Sequence, residues 1–159
     1  MISNLAKANL YLKFFGLTKI PLLWFCRPQI ISITNESVEI KIPLKRRTKN
    51  HLNSMYFGAL SVGADITGGF LAMMCIQNSG RNISLIFKDF KADFLKRAEG
   101  DVHFKCNQGK DIIKLVNKTI ESGERENMIV HIDAFVPSIS NDKVAEFQLT
   151  LSLKEKNNS

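Results

Sequence analysis

MYFGALSVGADITGGFLAMMCI, residues 55–76, decides how the chain folds. Asp65 is its sole charge, and no polar stripe interrupts the apolar residues at helical spacing. A helix that is apolar on all sides lies either in a bilayer or inside a protein. Its length is sufficient to span hydrocarbon, which takes about 20 residues. Its small residues (Gly58, Ala59, Gly63, Ala64, Gly68 and Gly69) point the other way, since they let neighbouring backbone approach closely. The reading is therefore a long buried helix, stopped by Asn78, Ser79 and Gly80.

The flanking sequence supplies a cover. Upstream, Val38, Ile40, Ile42 and Leu44 alternate with Glu39 and Lys41, the period of a half-buried strand. A polar loop with four positive charges, Lys45 to Asn50, joins this strand to the helix. Downstream, Leu85 and Phe87 alternate on one parity and Phe90, Ala92 and Phe94 on the other, which predicts a bulge near Asp89. Val102, Phe104 and Cys106 form a further strand. Ile112, Ile113, Val116 and Ile120 predict a helix over 109–122, with Gly123 past its end. Two last strands run through 128–136 and 147–153, with a turn expected at Asn141-Asp142. Ahead of all this, residues 5–15 and 20–26 read as short helices, the second opened by Pro21 and stopped by Pro28. The fold class is α+β: a curved antiparallel sheet wrapped around one long central helix, with short N-terminal helices. One domain is expected over 1–159, made of a helical lead-in (1–34), a core (35–155) and a frayed tail (156–159).

The 159 residues are 45% hydrophobic and 23% charged, which excludes a disordered chain, a collagen or a multi-pass membrane protein. A formal charge of +7 suits an anionic partner: nucleic acid, acidic lipid or a phosphate-bearing small molecule. Nucleic acid is the weakest of these, because the aromatics fall on the buried parity of the strands. Cys26, Cys75 and Cys106 form no Cys-x-x-Cys pair and make a poor disulfide framework, so reduced thiols and a cytoplasmic location are expected. No signal peptide is expected either, and the sequons at Asn35, Asn82 and Asn117 then lack a secretory context. His103 and His131 lie in strands without metal-ligand company, so no metal is expected. Gly109-Lys110 lacks the upstream glycine of a phosphate loop.

The order of elements resembles the hotdog fold, and residues around the helix start sharpen the likeness. Asn50, Tyr56-Phe57-Gly58-Ala59-Leu60 and Asp65 resemble the signature of the phenylacetate-pathway acyl-CoA thioesterases. In that group an Asn precedes a His-Gly-Gly turn by six residues, and an Asp follows the His by nine. Here Asn50 stands six before Tyr56 and Asp65 nine after it, with Tyr56 in place of the His and Phe57 in place of the first Gly. The stretch Ile20–Met74 also resembles a hotdog family of the DUF4442 type, with its proline-bearing lead-in, strand, Arg/Asn-rich loop and helix starting near Phe-Gly-Ala.

The resemblance implies thioester hydrolysis, with Asp65, Asn50, Gly58 and Phe57 as catalytic candidates. A helix N-terminus offers N–H groups without intrahelical acceptors, so the Phe57 and Gly58 amides could hold a developing oxyanion. A carboxylate in an apolar helix has its pKa raised, which suits a general base. Asn50 could orient water or reach Asp65 across a homodimer or tetramer interface; as a bland alternative it is a helix cap or turn residue. Tyr56, His51, Arg47, Lys88, Lys91 and Arg97 are the substrate-binding candidates, the basic ones for coenzyme A phosphates. No cofactor is expected beyond the coenzyme A carried by the substrate, and an acyl-carrier thioester is the variant on it. The alternatives are a non-catalytic acyl-CoA or fatty-acyl binder, favoured by Tyr56 and Phe57, and a peripheral protein on anionic membranes. The latter would use the apolar patch Leu22-Leu23-Trp24-Phe25 and nearby basic residues.

Overall fold

The computed structural model describes residues 4–156. Two helices, α1 (Asn4–Thr18) and α2 (Pro21–Cys26), lead into strands β1 (Gln29–Ile33) and β2 (Val38–Ile42). The long helix α3 (Phe57–Ser79) follows, then β3 (Ile83–Phe94), β4 (Val102–Cys106), α4 (Gly109–Ser122), β5 (Glu126–Val136) and β6 (Ser140–Glu155). The strands make one antiparallel sheet in the order β1-β2-β4-β5-β6-β3. The α+β, helix-in-sheet architecture expected from the sequence is the one observed, and it is the hotdog fold.

α3 is the one described helix long and apolar enough to cross a membrane, and most of its apolar length is buried by the sheet. It packs against β2, β4, β5, β6 and β3. The inward parity of each strand carries the core: Val38, Ile40 and Ile42 on β2, Phe104 on β4, Val130 and Ile132 on β5, and Phe147, Leu149 and Leu151 on β6 are all almost fully buried. Each such side chain contributes roughly 1.5–3 kcal/mol of hydrophobic stabilisation. The closest helix–sheet approach is at Gly63, where a Cβ would fall within the ring of Phe104. Phe104 in turn packs at 6.2 Å on Phe147.

The slip expected near Asp89 is present, as β3 and β6 change register between Phe87 and Phe90. Asp89 itself fills the gap: its Oδ1 accepts from Thr150 N at 3.0 Å and its Oδ2 from Thr150 Oγ1 at 2.8 Å. A side-chain carboxylate thus takes the place of the strand carbonyl that the bulge removes. α4 ends at Gly123, which adopts φ 63° as expected of a helix C-terminus. Its buried face is turned slightly from the expected one: Leu115 and Thr119 are buried, while Ile113 is exposed.

Two expectations are corrected. Residues 1–34 are not helical throughout, because β1 lies within them. Its sequence, Gln-Ile-Ile-Ser-Ile, shows no clean alternation, since only Ile30 is buried. The strand is held instead from outside, by β2 and by the Asn9 side chain of α1. Asn9 Oδ1 accepts from Ile30 N at 2.8 Å, and its Nδ2 donates to Ile30 O at 2.9 Å. The second correction is the last turn, which occupies Pro137–Ile139, closed by Ile139 N donating to Val136 O. Asn141 and Asp142 belong to β6, where Asp142 pairs with Lys96 at 2.6 Å. At the other end β6 runs to Glu155, the expected limit of the core, and Lys156 N donates to Asn82 O. Residues 157–159 lie outside the described residues.

Candidate functional site

The loop between β2 and α3 is built by its own polar side chains. Thr48 Oγ1 donates to Pro43 O at 2.7 Å and accepts from Lys45 N. Asn50 Oδ1 accepts from Leu52 N, Ser54 N and Ser54 Oγ. Of the roles weighed for Asn50, the turn is therefore the one its carbonyl performs. Its Nδ2 has no protein acceptor among the described residues. Met55 N donates to Ala98 O and Arg97 Nη2 to Leu52 O, which ties the loop to the segment after β3.

Between these two segments opens a cleft of about 490 Å³. It brings together Asn50, His51, Tyr56, Phe57 and Arg97 of the residues singled out in the sequence. Leu60, Phe94, Leu95 and Lys96 also line it. Phe94 and Leu95 were missed, since each alone reads as a strand end; the hydrogen bonds across Ala98 and Arg97 bring them to the helix.

α3 begins at this cleft. Tyr56 is its N-cap and makes no side-chain cap bond, and Tyr56 N donates to Thr48 O. Leu60 N closes the first turn on Tyr56 O, which leaves the amides of Phe57, Gly58 and Ala59 without a protein acceptor among the described residues. These donors carry the positive end of the helix dipole. Tyr56 and Phe57 are 49% and 58% exposed and pack ring against ring at 4.7 Å, at the lip of the cleft. The absent side chain of Gly58 makes room for the Tyr56 ring, whose Cε1 would lie 2.6 Å from a Cβ there. Tyr56, standing where the resemblance has a His, therefore lies directly over the first turn.

Asp65 lies two turns further on, about 12 Å along the helix axis from Phe57, and outside the lining of the cleft. It is half-buried on a partly open stripe with Ser61 and Val62. The hydrogen bonds that could have made it structural are spent elsewhere: Ser61 Oγ donates to Phe57 O and Thr67 Oγ1 to Gly63 O. Among the described residues the Asp65 carboxylate has no hydrogen-bond or ion-pair partner. Desolvation pushes its pKa above the ordinary aspartate range.

The remaining basic candidates are placed apart from the cleft. Arg47 turns to α2, with its guanidinium 5.7 Å from the centre of the Phe25 ring and Nη1 donating to Phe25 O. Lys88 and Lys91 lie on β3, where Lys91 pairs with Asp93 at 3.5 Å. The three cysteines are free and buried, and burial pushes their thiols up. His103 Nδ1 lies 2.7 Å from Glu39 Oε1 in the β2–β4 ladder.

Several solved structures share the fold. A Chlorobaculum tepidum protein of unknown function superposes with a TM-score of 0.83 at 11% identity, covering 96% of this chain and 97% of that one. Protein PA5026 of Pseudomonas aeruginosa gives 0.78 at 22% identity, covering 92% and 95%. Thioesterase HI1161 of Haemophilus influenzae gives 0.68 at 15% identity, covering 92% of each chain. At these identities the likeness establishes the fold. No curated protein matches the chain. The model of a domain of unknown function, DUF4442, matches residues 9–153, from the first helix to the last strand, and the chain therefore belongs to the DUF4442 family.

Proposed function

We propose that the protein hydrolyses acyl thioesters as a homodimer, with Asp65 of one protomer completing the helix-start cleft of its partner. The observation that carries this reading is Asp65 itself. It is a desolvated carboxylate without a protein partner among the described residues, on a core helix whose first amides open onto a cleft. Burying an unpaired carboxylate is costly, and a basic carboxylate beside preorganised donors is what hydrolysis requires. Asp65 takes a proton from water as the water oxygen adds to the thioester carbonyl. The oxyanion is held by the amides of Phe57 and Gly58. Collapse of the adduct expels the thiolate, which takes up the proton, leaving a carboxylic acid and a thiol.

The dimer is supported by the sheet margin. Among the described residues β3 has β6 on one side and no strand on the other, and Ile86, Phe90 and Phe94 along it are exposed. A two-fold axis beside β3 would bring the open stripe of α3 against its copy. Arg97 and Lys96 at the cleft suit the phosphates of coenzyme A or of an acyl carrier's prosthetic arm. No cofactor beyond that carried by the substrate enters the scheme. Three reduced thiols favour a cytoplasmic setting.

A second reading, an acyl-binding protein without turnover, draws on the Tyr56 ring covering Gly58. Release of free thiol from a panel of acyl-CoA esters separates the two. Turnover that Asp65→Asn lowers by about 10²–10⁴-fold supports hydrolysis. Acyl-CoA binding with no thiol release overturns it in favour of the second reading.

A further inference from the structure

We propose that α1, α2 and the loop 45–49 form a docking face for an anionic lipid bilayer. The charge of the chain is not spread over its surface. Residues 1–35 contain Lys7, Lys13, Lys19 and Arg27 and no acidic residue, and 45–49 add Lys45, Arg46, Arg47 and Lys49. The other 14 basic residues face 15 acidic ones, so the whole positive excess lies in these two segments. Ten of those 14 are paired with a carboxylate, whereas none of the eight in the two segments is, among the described residues. Lysines kept for solubility alone would be expected to pair as the others do.

The same segments carry the apolar surface. Of the twenty exposed large apolar side chains among the described residues, nine lie between Leu5 and Phe25. Leu10, Phe14 and Leu17 follow one another at i, i+4 and i+7 and are 63%, 63% and 56% exposed, on the side of α1 away from buried Leu12 and Gly16. Leu22 and Phe25 of α2 are exposed one turn apart. The pieces are contiguous: Gly16 packs against the backbone of Trp24, Lys13, Trp24 and Arg27 share a groove, and Arg47 bridges from the loop to Phe25. Arg27 lies 5.3 Å from the centre of the Trp24 ring. Apolar side chains rimmed by unpaired cations and a half-exposed Trp match the layering of a headgroup region over acyl chains. A protein partner would have to supply a matching acidic rim, whereas an anionic leaflet offers it at every orientation.

The test is co-sedimentation of the full chain with phosphatidylcholine vesicles, with and without phosphatidylserine. Binding is expected to the anionic vesicles alone and to weaken as salt rises. Phe14→Ser with Leu22→Ser and Phe25→Ser should abolish it without changing the oligomer seen by light scattering. Lys13→Glu with Lys19→Glu, both at exposed positions, should weaken it by on the order of tenfold or more. No binding to anionic vesicles, equal binding to neutral ones, or retention of binding by either variant overturns the proposal. So does a loss of oligomeric mass in the triple-Ser variant, which would make the face a contact between copies of the chain.

Discussion

Along β1 the main chain meets the Asn9 carboxamide, which accepts from Ile30 N and donates to Ile30 O as a neighbouring strand would. Along β3, twelve residues long, the outer margin meets no strand among the described residues, and Phe90 and Phe94 stay exposed although they share the core parity with Ala92. An open strand margin is a template for pairing, and proteins normally blunt it. Here one margin is blunted and the other is left apolar. The difference marks where a partner would sit: in the proposed dimer, Asp65 and the open stripe of α3 are completed at the β3 end.

The largest effect is expected from closing the open margin. Phe90→Glu should turn the dimer into a monomer in light scattering and take thioester hydrolysis to background. Ile86→Glu, which leaves the Phe90–Phe147 ring contact at 5.7 Å untouched, checks that the loss is not one of packing. A dimer that survives both changes breaks the comparison. Next is Asp65→Asn, expected to cost about 10²–10⁴-fold in kcat in a thiol-release assay while the dimer persists. Asn9→Leu then probes the closed margin. It strips partners from Ile30 N–H and C=O at about 1–3 kcal/mol, and each kcal/mol lowers the melting temperature by about 2–4 °C. The smallest effect is a pH dependence. Folding raises the Asp65 pKa, so the folded chain holds that proton more tightly than the unfolded one. Stability from this group is present at low pH and declines as pH rises from the ordinary aspartate value, about 3.9, through the raised one. Above that window Asp65→Asn should melt higher than the parent, and the gap should close on acidification. Hydrolysis should fall over the same window as pH is lowered, because the carboxylate is the base.

What the sequence made legible follows from which contacts are local. The all-apolar run of α3, the parity slip at Asp89 and the Gly123 stop are written into neighbouring residues, and each stands in the fold. β1 was illegible because its partner on the outer side is a side chain twenty-one residues away. Asn141-Asp142 misled because polar residues at an exposed strand start look like a turn, although Pro137 and Ser138 mark the real one. At the site, Asp65 stood out by being alone in its helix. Arg47 could not be placed, since its contact with Phe25 is set by how α2 folds back. Asn50 lies at the spacing the resemblance demands, and its carbonyl is nonetheless consumed by Leu52 and Ser54.

The β3 bulge constrains association as well as shape. A flat strand can receive another strand in many registers, including those that continue without end into fibres. A strand kinked at Asp89, with the carboxylate anchored to Thr150, offers one straight run on either side of a fixed defect. In the proposed dimer a second copy would fit such a margin only where its own kink falls opposite, so the bulge would act as a key that selects a closed pair over an open stack.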